Sequence, residues 1–182
     1  MRRGNRLFCS LDDFAAKVRH AALIDRRELY ALWEQEQLVK MFAFCGVDCV
    51  FDVGANEGQY ATMLRRKLGY RGWIASFEPI PAMAARLRER ASLDPRWLVF
   101  ECAVAESAGT RTFNVMRHSQ FSSLAEPRHD DVRAFVGRNE AIRRIDVEAR
   151  TLADVFPEVQ KRTGCRAPFL KMDTQGFDLT IV

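Results

Sequence analysis

The sequence is short of the features that assign most proteins to a compartment or a chemistry. No apolar stretch approaches the roughly 20 residues that cross a bilayer, and the basic start, MRRGNRLFCSLDDFAAKV, has no apolar run behind it of the kind a secretory leader carries. The expectation is a cytoplasmic chain, neither secreted nor membrane-spanning. Histidine is scarce, at 3 residues, and the 5 cysteines (Cys9, Cys45, Cys49, Cys102, Cys165) include no Cys-x-x-Cys pair and no histidine at ligand spacing. No metal site is expected. Cys45 and Cys49 stand four apart and could share a helix face, but buried, reduced thiols are the simpler reading. A Gly-x-Ser-x-Gly elbow is missing, as are a phosphate loop ending in Gly-Lys-Ser/Thr and the Gly-x-Gly-x-x-Gly that lets backbone press against a pyrophosphate. Serine hydrolase chemistry, nucleotide triphosphate hydrolysis and NAD binding all lose support. The formal charge of +4 comes from scattered arginines without a dense basic block or aromatic-basic interleaving, so neither nucleic acid nor membrane is expected as a partner.

What remains is an ordinary globular composition, 48% hydrophobic and 29% charged over 182 residues, enough to bury roughly two-thirds of the unfolded surface in one core. Leu11 to Phe44 places apolar residues at helical spacing (Phe14, Val18, Ala22, then Leu29, Trp33, Met41) and contains no proline or glycine, a helical preface. From Gly46 the pattern changes to alternating strands and helices. Cys49 to Val53, Gly72 to Phe77 and Trp97 to Val104 read as buried strands, separated by helices over Gln59 to Leu68 and from Pro81 until Asp94 and Pro95 stop it, the second opening on a proline that a first helical turn tolerates. Such βαβαβ alternation implies a parallel sheet with right-handed crossovers. Thr110 to Met116 and Ile145 to Ala149 are short strands flanking a polar, Arg-rich stretch (117–144), open to reading as a lid, an insertion or a long loop. Pro168 to Met172 is a further apolar strand, and TQGFDLTIV after it looks like the start of a helix.

The strongest local signal is VFDVGANEGQY, Val50 to Tyr60, where a strand, an acidic residue, two glycines and a helix start fall within one short span. Gly54 can turn the backbone sharply, Gly58 can leave room for a ligand at the helix N-terminus, and free N–H groups there favour electron-rich groups. Asn56 stands where a dinucleotide site wants its second glycine. Glu78, at the end of the next strand, is placed to accept both hydroxyls of a ribose, so the two motifs together bracket an adenosine-type ligand; alone, Glu78 reads more simply as a surface or capping carboxylate.

VFDVGANEGQY, the Phe77–Pro79 triplet FEP and FLKMDTQGFDL (Phe169 to Leu179) occur in the order in which the FkbM-type methyltransferases carry similar motifs, and the sequence resembles that family from about Val50 to Val182. The resemblance implies an α/β fold, a Rossmann-like class I methyltransferase sheet with an N-terminal helical preface. Residues 1–48 are then a helical extension and 49–182 the S-adenosylmethionine (SAM) domain, incomplete at its C-terminus, since a complete fold of this class continues through further strands. The edge beside Pro168 to Met172 is accordingly expected to lie unpaired and to invite association. By the same resemblance Asp52, Gly54, Asn56 and Gly58 line the methionine side of SAM, Glu78 holds its ribose and Asp173 faces the transferred methyl, with O-methylation of a small-molecule or glycan hydroxyl as the expected reaction. Gln175 and Asp178 stand where many relatives carry Glu, and Ala153 where an Asp often follows Thr-Leu. His118 and His129 are secondary candidates for a base, although exposed loop residues are the plainer reading, and Ser122 and Ser123 fall where the family tends to show a serine pair. Lys171 shares a strand face with Asp173 and could pair with it. Two other readings stay open: a SAM-binding module without catalysis, and another nucleotide-dependent Rossmann enzyme.

Overall fold

Strand β1 (Cys49–Val53) forms because five consecutive residues bury their side chains on both faces, the pattern of an interior strand of a parallel sheet. The computed structural model describes residues 26–116 and 141–173. In it β1 is flanked by β2 (Trp73–Phe77) and, from the far end of the chain, by β7 (Pro168–Met172), with β3 (Trp97–Phe100) outside β2. The order β3-β2-β1-β7 is parallel throughout, as expected. Asp48 fixes the register of the long-range pairing: its carboxylate accepts the backbone N–H groups of Arg166 (2.9 Å) and Ala167 (3.1 Å), which brings β7 alongside β1 in step.

Alternation along the strands divides the core between two faces. Val50 and Ile74 point to the side covered by α1 (Arg26–Cys45), α2 (Gln59–Arg66) and α3 (Pro81–Ala91), where Phe42, Leu64, Leu68, Leu87, Ala91 and Trp97 close around them. Phe51, Val53 and Phe77 point to the other side, where α4 (Leu152–Thr163) contributes Val155 and Val159. On that side the rings of Phe51, Phe77 and Phe100 stack across three neighbouring strands at 5.9 and 4.9 Å between centroids, a cross-strand ladder that favours this strand order.

Sequence reading missed α4. It carries a capping box in which Thr151 Oγ1 accepts the Asp154 N–H and the Asp154 carboxylate accepts the Thr151 N–H, both at 3.1 Å, and it ends on Gly164 at φ 70°. Pro157, inside the helix, removes one backbone donor and masks the pattern. The span Trp97 to Val104 also divides. After β3 the chain leaves the parallel sheet, and β4 (Ala103–Val104) joins β6 (Ala141–Arg150) and β5 (Gly109–Met116) in a second sheet of order β4-β6-β5, whose small core of Ala103, Phe113, Val147 and Ala149 also takes in Ile80. The Arg-rich stretch is thus a strand at its C-terminal end, while its residues 117–140, with His118, His129, Ser122 and Ser123, lie outside the described residues, as do 1–25 of the helical preface and the segment after Asp173.

The expectation of buried, reduced thiols holds for Cys49, Cys102 and Cys165 but not for Cys45. Cys49 lies in β1 and Cys45 at the end of α1, so they share no helix face; Cys45 is exposed and Cys49 buried. Burial pushes the Cys49 thiol up, and the Cys102 thiol to about 12, so both are held as thiols. Trp33 is 55% exposed on the outer side of α1.

Arg65 on α2 ties the strand connections together. Its guanidinium donates to Asp94 Oδ2 (2.6 Å) and to the carbonyls of Tyr70 and Gly72 (2.8 Å each) and Arg96 (3.1 Å), joining the turns that precede β2 and β3. Arg65→Ala removes a planar donor that serves four acceptors at once, and the expected cost is about 2–4 kcal/mol in urea unfolding. Arg65→Lys should recover only part, because an ammonium cannot span the four. A loss under about 0.5 kcal/mol would show that water replaces these bonds without penalty.

Candidate functional site

The carboxyl ends of β1, β2 and β7 come together on the side of the sheet covered by α1 and α2, and three carboxylates gather there. Asp52 occupies the same side of β1 as Val50 and is flanked in register by Ser76 on β2 and Lys171 on β7. A polar row therefore crosses three strands at the level where the apolar core gives way. Asp52 is fully buried, with Lys171 Nζ 3.0 Å from its Oδ1. Neither carboxylate oxygen completes a well-aligned hydrogen bond within the described residues. Burial pushes its pKa up, against the Lys171 ammonium and the Ser76 hydroxyl, which favour the charged form. Ser76 in turn accepts the indole N–H of Trp97 at 3.0 Å.

Glu78, one residue past β2, is only 4% exposed. Its Oε2 accepts the Asn56 N–H at 2.7 Å and its Oε1 the Ile80 N–H at 2.9 Å. Each oxygen retains lone-pair capacity for one further donor, which suits two adjacent hydroxyls. Burial raises the carboxyl to about 7 despite those two backbone donors. The surface reading of Glu78 fails, because the side chain is buried, while its Oε1 does accept an N–H at the start of α3.

The glycines of the β1–α2 loop are where expected, and for Gly58 the reason differs. Gly54 has φ 74°, the sharp turn expected of it, and a Cβ there would also stand 2.3 Å from the backbone carbonyl oxygen of Asp173. Gly58, at φ 83°, faces Leu87 and Trp97, whose side-chain carbons would lie 2.7 and 3.0 Å from a Cβ; it is glycine so that the loop can press onto the core. The N–H groups of Gly54 and Ala55 donate to the Phe77 carbonyl (3.1 Å each), and that of Gly58 to Ala55 (2.8 Å). These three donors thus serve the loop's own shape. Asn56 is the one non-glycine described residue at positive φ, 50°, a conformation asparagine tolerates better than most, and it sets its N–H toward Glu78.

Asp173 follows β7 with its N–H bonded to the Val53 carbonyl at 3.1 Å and its side chain 56% exposed. Lys171 Nζ lies 3.8 Å from its Oδ2, so the expected pairing exists, but the shorter contact is to Asp52, which strand alternation within β7 alone could not show. Tyr60, on the first turn of α2, places its ring 5.5 Å from the same ammonium, and burial followed by the Asp52 charge pushes its hydroxyl up to about 12. Among the described residues no group of three or more His, Cys, Asp or Glu side chains is placed to hold a metal ion, and no helix is long and apolar enough to cross a membrane.

A parallel α/β sheet with buried acidic residues at the ends of its first two strands is the architecture of a nucleotide-type cofactor domain. The chain belongs to the FkbM methyltransferase domain family, whose model matches residues 52–182. No curated protein matches the sequence. Among solved structures it is similar to a Galdieria sulphuraria protein described as a candidate sarcosine dimethylglycine methyltransferase, at 22% identity and TM-score 0.32 over 49% of this chain and 40% of that one. This chain thus spans well under half the length of that protein.

Proposed function

We propose that this chain is the cofactor-binding part of a SAM-dependent O-methyltransferase that acts on a hydroxyl of a small molecule or glycan. The observation that carries the reading is the buried carboxylate pair at the ends of two adjacent parallel strands: Glu78 with acceptor capacity left on both oxygens, and Asp52, ion-paired with Lys171 through Oδ1 and with acceptor capacity left over. Such capacity in a buried site is costly unless a ligand completes it. Glu78 holds the ribose hydroxyls. Asp52 accepts from the ammonium of the methionine part, and Gly54, Asn56 and Gly58 shape that side of the crevice by fixing the loop that carries the Asn56–Glu78 bond. Asp173, exposed at the end of β7, faces the acceptor and is the first candidate to take its hydroxyl proton.

SAM, when bound, supplies an electrophilic methyl on a sulfonium, so the protein's part is to bind, to align the acceptor oxygen and to exclude water. The test is calorimetric titration of the full chain with S-adenosylhomocysteine (SAH), which needs no acceptor. Binding should weaken at least tenfold in Glu78→Ala and in Asp52→Ala, with folding checked by circular dichroism. A folded wild-type chain that does not bind SAH would sink the reading; binding that survives both substitutions would move the site elsewhere.

A further inference from the structure

We propose that Lys171 is a positioning residue of the cofactor site: its ammonium, set among Asp52, Asp173 and the carbonyls of Val53 and Gly54, fixes the orientation of the Asp52 carboxylate at the end of β1. The inference rests on the SAM reading above and adds a residue that the reading does not use.

Lys171 and Asp52 are direct partners in the β1–β7 register and project to the same side of the sheet. Nζ stands 3.0 Å from Asp52 Oδ1 and 3.8 Å from Asp173 Oδ2, and it donates to the carbonyls of Val53 at 3.5 Å and Gly54 at 3.4 Å. The ammonium therefore grips both the carboxylate and the turn from which the glycine loop departs. The Tyr60 ring, 5.5 Å away, covers it from α2, a further attraction for a cation.

The groups facing Asp52 are Lys171 from β7, Asp173 just beyond it, Ser76 from β2, Glu78 beyond β2 and Tyr60 from α2. Lys171 is the only cation among them, set against three carboxylates. In a buried site such a pair is strongly coupled, and removing one partner leaves the other charge uncompensated. Without Lys171 the Asp52 carboxyl takes up a proton and loses the contact that holds it against the Val53–Gly54 turn. It then presents a hydroxyl donor where an ammonium needs an acceptor. Lys171 acts on the cofactor through Asp52, without being required to touch it.

The test compares the full wild-type chain with Lys171→Met, Lys171→Arg, Asp52→Asn and the double variant Lys171→Met/Asp52→Asn. In the unliganded protein, infrared spectroscopy follows the C=O stretch of protonated carboxylic acids with pH, and the component that Asp52→Asn removes belongs to Asp52. That component should titrate at least one pH unit higher in Lys171→Met than in wild type, with Lys171→Arg close to wild type. SAH titration should show at least tenfold weaker binding by Lys171→Met at pH 7, a deficit that shrinks by pH 9 as Asp52 ionises. A purely structural role would give a deficit independent of pH. If Lys171→Met does not fold, the double variant should fold, because no uncompensated charge remains; failure of the double variant to regain folding overturns the proposal. An unchanged Asp52 titration, or wild-type SAH affinity in Lys171→Met, overturns it too. A folded wild type that ignores SAH refutes the SAM reading, and the infrared comparison still decides whether Lys171 governs Asp52.

Discussion

Replacing Gly54 by alanine is expected to destabilise the protein by more than about 4 kcal/mol, or to prevent folding, although alanine adds a single methyl group. Two effects combine. At φ 74° an L-residue sits in the left-handed region, which costs roughly 1–2 kcal/mol. The larger effect is that the new Cβ would lie 2.3 Å from the carbonyl oxygen of Asp173, a backbone atom that cannot swing aside as a side-chain end can. Relief requires that β7 part from β1 at their carboxyl ends, where the Asp173 N–H bonds to Val53 at 3.1 Å and Lys171 reaches Asp52. Losses beyond 4 kcal/mol from one substitution are unusual and point to a specific cause such as this. Gly164→Ala is the internal control. Gly164 has φ 70° at the end of α4, but a Cβ there meets nothing within 4 Å, so its cost should be only the conformational part, about 1 kcal/mol. Equal losses for the two variants in chemical denaturation would mean that the close approach of Asp173 contributes nothing.

The second large effect is a pH dependence of SAH binding that originates in Glu78. Burial holds the unliganded carboxyl at about 7, whereas ribose hydroxyls donate to the ionised form and so favour loss of its proton. Binding and deprotonation are then linked. Affinity should be flat above pH 8 and fall by up to tenfold per pH unit below 7, and near pH 6.5 calorimetry in buffers of different ionisation heat should detect a proton released on binding. The dependence should vanish in Glu78→Gln, whatever the residual affinity. For stability of the unliganded chain the sign is the opposite. A carboxyl raised from 4.5 to about 7 in the folded state binds more protons folded than unfolded between those values. Its contribution is fully present below about pH 4.5 and is lost as pH rises through 7. The ligand thus binds best where Glu78 contributes least to holding the empty protein together. SAH affinity that stays constant between pH 6 and 8 would take Glu78 out of the ligand site.

The parallel sheet was legible because its strands read as short apolar runs between turn residues, with β1 and most of β2 buried on both faces. β1 and β7 have the bounds expected from the residues alone, and β2 differs by one residue. The splitting of Trp97 to Val104 was not legible, since apolar character shows that a strand is buried without saying in which sheet. α4 had a readable start in Thr151 and Asp154, but a proline six residues into the element outweighed it. In the site, residue types and positions were accessible while their packing neighbours were not. The neighbours that demand glycine at 54 and 58 are Asp173, Leu87 and Trp97, brought in by sheet and helix packing from far along the chain. The Lys171–Asp52 contact likewise follows from the register between β1 and β7, which no local pattern encodes.

The seating of Gly58 against Leu87 and Trp97 ties three distant positions into one shared volume. With carbons of both side chains within 3.0 Å of where a Cβ would stand and the Trp97 indole held by Ser76, the ring cannot retreat without giving up its hydrogen bond. A larger residue at 58 is then tolerable only with a smaller one at 97 or 87, and shrinking Trp97 alone would leave a void under the loop. Change at these three positions is therefore constrained to compensating combinations. An engineer who wishes to widen the crevice has to redesign the floor beneath it together with the loop above.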